Sequence, residues 1–297
     1  MAGPSIELRA GAARARIALR GAELKAWDVG DTPWLWPGDP ASWDESAPVL
    51  FPVVGWTRDG EARVGGQTYP LGLHGFARFQ AFEAAGARED EARFVLRETP
   101  ATLEQFPFRF ELGVTYRLFP DGLSVAFDVV NTGDRPMPYA IGFHPGFRLP
   151  LGGGPDSPLA VVFDAEEEKT VPVIAPGGLF SPERRAIPLD GRRLPLDAGT
   201  FATQSLCFVD ARSRGLVLTP AQGRALRFDF EDLPTIVLWR RPEAPFLCVE
   251  GWTGRGDPVG FAGDLFEKPG MRVLEPGQST SHRMTVRIVE PLDGTTS

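Results

Sequence analysis

Three histidines occur in the 297 residues, and two of them stand inside short motifs rich in Gly, Pro and Phe. His74 lies in Leu73-His74-Gly75-Phe76-Ala77-Arg78, and His144 in Gly142-Phe143-His144-Pro145-Gly146-Phe147. Imidazole is the one side chain whose unperturbed pKa lets it exchange protons near neutrality. A third motif, Phe246-Leu247-Cys248-Val249-Glu250-Gly251-Trp252, places a carboxylate directly after four apolar residues. Burial disfavours the charged form of such a group and tunes it toward general-base work. Taken singly, each histidine is equally well read as a hydrogen-bonded core residue, and Glu250 as the partner of an arginine such as Arg240 or Arg255. Together the three motifs favour a proton-transfer site.

Other chemistries fit less well. There is no Gly-x-Ser-x-Gly elbow, and neither cysteine has a histidine nearby in sequence, so the usual nucleophile arrangements are missing. A glycosidase needs two carboxyl groups flanking the scissile bond, and only Glu250 sits in a suggestive apolar frame. No Cys-x-x-Cys, His-x-His or His-Glu-x-x-His is present to suggest zinc. One base and one acid are suited to moving protons on two oxygens of one small molecule.

The elements that must hold these groups read as strands. Arg14–Arg20, Leu123–Val129 and Met284–Val289 alternate polar and apolar residues, and Arg93–Arg97, Leu112–Leu118, Leu216–Leu218 and Ile236–Trp239 extend the pattern. Turn signals fall between them at Asp59-Gly60, Gly65-Gly66, Asp121-Gly122 and Asp190-Gly191. The runs at 112–118 and 123–130 form a hairpin by this reading. Helical periodicity is confined to a turn or so within Ala101–Phe106, and 34 glycines and 29 prolines leave little room for more. Many short strands with Gly/Pro-rich turns imply an all-β sandwich or barrel. The Gly/Pro-rich stretch 149–158 is read as a long loop rather than a linker, giving one β-sandwich domain over 1–297 with its core at about 5–290. The charge runs Asp164–Lys169 and Glu89–Glu91 are read as a solvated turn and a hairpin tip.

Composition narrows the partners. A net charge of -8 argues against a nucleic-acid surface, which needs a basic face. No stretch approaches the ~18 uncharged apolar residues of a membrane span. The N-terminal ten residues carry Glu7 and Arg9 and lack an apolar signal core, so a cytoplasmic location is expected. Cys207 and Cys248 lie in apolar runs and are expected to be buried thiols.

Several motifs in order resemble one family. Val49-Leu50-Phe51-Pro52-Val53-Val54-Gly55, then Asp59-Gly60, Gln67-Thr68-Tyr69-Pro70 and His74-Gly75-Phe76-Ala77-Arg78, resemble the N-terminal signature of the aldose 1-epimerase (galactose mutarotase-like) family. Asn131–Tyr139 running into Gly142-Phe143-His144-Pro145 resembles its next motif, and Pro245–Glu250 its last. The resemblance implies a large antiparallel β-sandwich with an open sugar cleft, a small-molecule sugar as partner, and no cofactor. It implies that Glu250 is general base on the anomeric hydroxyl, that His144 protonates the ring oxygen, and that His74 binds and polarises the sugar. Arg78, Trp252, Arg58 and Gln204 become candidate substrate-binding residues; Trp56, Trp252 and Phe147 are candidates to stack on sugar faces.

The chain departs from the family pattern in places. Trp56 stands where relatives often have Arg after the Phe-Pro-x-x-Gly run, leaving Arg58 as the nearest one. Asp44-Glu45-Ser46 precedes that run where many carry Arg, and Gln204 takes the approximate position of a sugar-binding Asp. The expected activity is anomer exchange on a free aldose. The alternatives are the same chemistry on a hexose 6-phosphate, which needs a basic clamp for the dianion, and a non-catalytic carbohydrate-binding sandwich, which would not need the Glu250/His144 pair. An acid–base pair of this kind is expected to give a bell-shaped pH profile, its acid limb set by Glu250 and its alkaline limb by His144.

Overall fold

Alternating apolar residues make strands throughout, and strands with two apolar faces end up between layers. The computed structural model describes residues 3–154, 156–197, 199–201 and 205–292. Gln204 lies outside the described residues. The largest sheet has nine strands in the order Arg193–Leu196, Leu159–Phe163, Gly215–Pro220, Ala225–Glu231, Ser279–Val289, Gly122–Asn131, Phe110–Phe119, Glu91–Arg97 and Glu83–Ala87. Every pairing in it is antiparallel. The expected hairpin is there, with Phe110–Phe119 registered against Gly122–Asn131. Helical structure in the 101–106 region is limited to Pro100–Leu103, capped by Thr99. Glu89 and Asp90 form the tip between Glu83–Ala87 and Glu91–Arg97, as the charge run suggests.

A six-stranded sheet lies against the first, in the order Leu206–Phe208, Thr235–Trp239, Phe246–Trp252, Gly142–Phe143 and Val49–Leu50, with Gly146–Arg148 also pairing Phe246–Trp252. Aromatic rings lock the two layers together: Phe143 meets Phe127 at 5.9 Å and Tyr116 at 6.3 Å, and Phe147 meets Phe228 at 5.1 Å. Such pairs contribute about 0.5–1.5 kcal/mol each beyond their area burial. Phe147 is therefore an interlayer core residue, a correction to its place among the sugar-stacking candidates. A four-stranded sheet, Ser5–Ala10, Ala13–Ala18, Leu24–Val29 and Thr32–Pro33, joins the same core, where the Tyr116 hydroxyl donates to the Ala22 carbonyl at 2.8 Å. No helix among the described residues is long and apolar enough to cross a membrane.

The strand Phe246–Trp252 is buried at all seven positions because both its faces are covered. Leu247 and Val249 point into the interlayer core. Phe246 and Cys248 pack with Trp36 and Trp43 on the other face, and Trp252 with Leu50 and Phe180. Glu250 shares that outer face, under loops rather than under the second sheet.

One of those loops is fastened by a buried ion pair. Lys268 and Asp257 are each 3% exposed and directly paired. Asp257 also accepts the Arg58 amide at 2.8 Å, and its own amide donates to the Trp56 carbonyl at 2.8 Å. Lys268→Met should cost about 3–5 kcal/mol, because it strands a buried carboxylate. Urea unfolding would check this, and a loss below about 1 kcal/mol, the scale of an exposed pair, would contradict it.

Candidate active site

The register of the six-stranded sheet assembles the site. Cys207 pairs with Val237 and Val237 with Glu250, so three adjacent strands present these side chains in one row. On the other side Gly142 pairs with Trp252 and Gly146 with Cys248, which sets His144 opposite Glu250. The Gly-x-His-x-Gly spacing now has a steric reason. A Cβ on Gly142 would lie 2.6 Å from Trp252 Cδ1, and one on Gly146 would lie 2.9 Å from Trp43 Cζ3. The two bare positions let indole rings close in on either side of His144. Its ring centroid lies 5.1 Å from Trp43 and 5.5 Å from Trp239.

His74 arrives from a loop, clamped in a left-handed conformation at φ 61°. The Gly55 carbonyl accepts from the His74 amide at 3.0 Å, and the Gly55 amide donates back to His74 Nδ1 at 3.0 Å. An accepting Nδ1 leaves the proton of the neutral ring on Nε2. Gly75 follows at φ 66°, and a Cβ there would lie 2.3 Å from the Phe51 carbonyl oxygen. The Phe-Pro-x-x-Gly run and the His-Gly-Phe motif are thus two halves of one backbone clasp. Left-handed backbone at a non-glycine residue costs on the order of 1–3 kcal/mol, a strain found preferentially at functional sites.

The rings of His74 and His144 lie 5.5 Å apart, and His74 is also 5.5 Å from Trp252. His144 Nε2 lies 3.4 Å from Glu250 Oε2, and the Trp252 indole N–H donates to that oxygen at 3.0 Å. Glu250 Oε1 and His144 Nδ1 are buried without a partner among the described residues. These groups face a cavity of about 440 Å³, whose walls include Trp43, Asp44, Glu45, Trp56, Arg78, Cys207, Trp239 and Arg241. No group of three or more His, Cys, Asp or Glu residues among the described ones is placed to share a metal ion.

Burial sets the protonation of the pair. Glu250 is 0% exposed, and its pKa is pushed well above the usual carboxylate range, with the Trp252 hydrogen bond opposing weakly. Burial drives His144 down to about 3 and His74 well below its ordinary value. Burial thus favours the uncharged form of each group, a protonated Glu250 beside a neutral His144. These directions run opposite to the expected order, in which Glu250 titrates on the acid side and His144 on the alkaline side. Both belong to the pair as macroscopic steps.

The seven candidate site residues fare differently. His74, His144, Glu250, Arg78 and Trp252 come together in the cavity wall. Arg58 does not line it. Asp59 adopts φ 61° in the turn after Trp56, and the Arg58 guanidinium turns to it, Nε to Oδ2 at 3.2 Å. Neighbouring Ser205 lines the cavity, whereas Gln204 is outside the described residues. Arg78 pairs with Glu45 rather than Glu250. Arg240 donates to the Ala244 carbonyl, so the alternative reading of Glu250 as an arginine partner is not what the strand builds. Nothing in the local sequence marks Trp43, Trp239, Cys207 or Arg241 as cleft residues. Alternation puts Val237 and Trp239 on one face, but only the pairing reveals whose face it is. Cys207 and Cys248 are free, buried thiols, as expected. The third histidine, His282, is structural: Nε2 meets the Tyr139 hydroxyl at 2.8 Å and Nδ1 the Asp232 carbonyl at 2.9 Å.

The two shifts have opposite linkage signs. Glu250, raised, contributes stability that is present below its unfolded value near 4.5 and lost as pH climbs through its folded value. His144, lowered, contributes stability that is present above its unfolded value near 6.5 and lost as pH falls toward 3. The stability difference between wild type and Glu250→Gln should shrink with rising pH, by up to about 1.4 kcal/mol per unit. That between wild type and His144→Asn should shrink with falling pH. Urea midpoints measured from pH 4 to 8 (about two units either side of the window's centre) check both, and pH-independent differences would contradict the assignment.

Comparison with known proteins identifies the family. The sequence profile of the aldose 1-epimerase family matches residues 4–287. Protein LacX of Lactococcus lactis subsp. lactis is 30% identical over 267 residues, 86% of this chain and 89% of that protein. The crystal structure of a galactose mutarotase-like protein from Lactobacillus casei superposes with a TM-score of 0.90 at 29% identity, over 96% of this chain and 100% of that one. A galactose mutarotase related enzyme from Lactobacillus acidophilus gives 0.88 at 27% identity, over 98% of this chain and 99% of its own. With its profile matched almost end to end and a cleft built on the same β-sandwich, the chain belongs to the aldose 1-epimerase family, an isomerase family.

Proposed function

We propose that the cleft interconverts the α and β anomers of a free, uncharged aldose. The observation that carries this reading is the Glu250–His144 pair: two groups 3.4 Å apart at a buried wall, with an unpartnered carboxylate oxygen. A sugar hydroxyl donating to Glu250 Oε1 satisfies that oxygen and favours the carboxylate form. The shared proton then moves to His144 without any exchange with solvent. Glu250 takes the proton of the anomeric hydroxyl while His144 protonates the ring oxygen; the C1–ring oxygen bond breaks and the C1–O1 bond becomes the carbonyl. Rotation about C1–C2 and the reverse steps on the other face give the other anomer and restore both groups. His74, with its proton on Nε2, supplies a neutral donor to a sugar oxygen. Trp252 both fixes Glu250 and presents an apolar ring to the sugar.

A cavity of about 440 Å³ is within the usual range for small-molecule sites. Its charges cancel. Arg78 and Arg241 stand against Asp44 and Glu45, and the Glu250–His144 pair is neutral in either arrangement of its one proton. That balance suits an uncharged substrate.

A positioned acid or base contributes roughly 10²–10⁴-fold. Glu250→Gln and His144→Asn should each lower anomer exchange by about that factor, measured by polarimetry, while leaving the circular dichroism unchanged. Near wild-type exchange in either variant would show that the pair is not the catalyst. Across substrates, wild-type protein should prefer glucose or galactose to the matching 6-phosphate. A preference of about tenfold or more for the phosphate, roughly 1.4 kcal/mol, would reverse the substrate assignment.

A further inference from the structure

The wall between Asp44 and Arg78 separates two concavities. On one side lies the cleft; on the other is an open groove of about 780 Å³ that shares Asp44, Glu45 and Arg78 and adds Arg16, Arg20 and Lys25. Among the described residues, Arg78 is the one arginine of the cleft wall that is enclosed, its side chain 14% exposed, whereas Arg241 is exposed. Both terminal nitrogens of the Arg78 guanidinium are already committed, while Nε is buried without a partner among the described residues. Nη1 reaches Glu45 Oε2 at 3.0 Å and Oε1 at 3.3 Å, Nη2 donates to the Leu73 carbonyl at 3.3 Å, and the group lies over the Phe79 ring at 4.6 Å.

Glu45 cannot easily swing away. The loop that carries it is pinned from the groove side by Glu23, whose Oε1 accepts the Ser46 amide at 2.6 Å and the Ala47 amide at 3.2 Å. Lys25 Nζ holds the same oxygen at 3.2 Å. A phosphorylated or carboxylated sugar entering the cleft would have to compete with a tethered, intramolecular carboxylate for that cation. It would also meet the Glu45 charge itself.

We propose that Glu45 is a specificity-determining residue: by holding Arg78 in an ion pair, it withholds the enclosed cation of the cleft from anionic sugars. This rests on the reading of the cleft as an aldose site, and it locates the preference for uncharged substrates in one carboxylate rather than in the acidity of the chain as a whole. Glu45→Gln keeps the shape of the side chain and one acceptor for Arg78 but gives the cleft a net positive charge. Asp44→Asn removes an equal charge from an exposed neighbour with no ion pair, and Glu45→Asp keeps the charge.

The readout is the ratio of kcat/KM for glucose to that for glucose 6-phosphate. Glu45→Gln should lower it by at least about tenfold, roughly 1.4 kcal/mol. Asp44→Asn and Glu45→Asp should each move it by less than about threefold, roughly 0.7 kcal/mol. A change of less than about threefold in Glu45→Gln, or an equal drop in Asp44→Asn, would overturn the proposal. Calorimetric binding of glucose and glucose 6-phosphate to the same proteins separates the two levels. If wild-type protein exchanges no anomers, the catalytic reading fails. The selectivity claim still stands if Glu45→Gln gains relative affinity for the 6-phosphate, and falls if that variant binds neither sugar or gains nothing.

Discussion

Placing a carboxyl group and an imidazole 3.4 Å apart under a layer of aromatic rings is the constraint that the rest of the site serves. Removing an isolated ion from water costs several kcal/mol even after relaxation, so neither Glu250 nor His144 is stable there in its charged form alone. One proton shared between them solves the problem, because moving it from one to the other leaves the net charge unchanged. In the proposed mechanism, a substrate hydroxyl that donates to the open Glu250 oxygen shifts the balance toward carboxylate and imidazolium. Burial, which is unfavourable for each group taken singly, makes the pair responsive to occupancy.

Such a pair works only if its members cannot separate, and the architecture explains how they are held. Glu250 stands on Phe246–Trp252, and His144 in the short link between Gly142–Phe143 and Gly146–Arg148, both paired to that strand, in a sheet whose inner face is locked to a second sheet by Phe143, Phe147 and their partners. None of these strands can slip, since a one-residue shift would turn every core side chain to the wrong face. The loops above the outer face are fastened separately. The His74 clasp binds to Gly55 and Phe51, the buried Lys268–Asp257 pair holds Trp56 and Arg58, and Glu23 holds the segment bearing Glu45. Rigid sheet below and pinned loops above leave a cavity whose charges are set residue by residue.

Much of this was legible before any coordinates. Period-two alternation gave the strand class, and glycines and prolines bounded the strands, because both signals are local. The two histidine motifs and the apolar frame around Glu250 stood out for the same reason: their residue types are unusual against their immediate neighbours. What was not legible depends on pairing. That His144 faces Glu250, that Cys207 shares its row, and that Arg78 pairs with Glu45 depend on contacts between residues 30 or more positions apart in the chain. Proximity to the Phe-Pro-x-x-Gly run does not bring Arg58 to the cleft, because its guanidinium turns to a left-handed Asp59. Phe147 differs by one step of alternation: it is odd-numbered in a motif whose His144 faces the cleft. Protonation is the subtlest point, since the ordinary values of the two groups favour carboxylate and imidazole, and burial pushes Glu250 up and His144 down.

The central claim is that a proton moved between Glu250 and His144 opens and recloses a sugar ring. Two-dimensional exchange NMR on an equilibrated α/β mixture of glucose in D2O tests it most directly. Cross-peaks between the two anomeric protons should grow at a rate proportional to protein concentration, and the proton on C1 should remain undiluted by deuterium, because ring opening breaks only the C1–ring oxygen bond. An exchange rate no faster than that of buffer alone, or loss of the C1 proton to solvent, would contradict the claim.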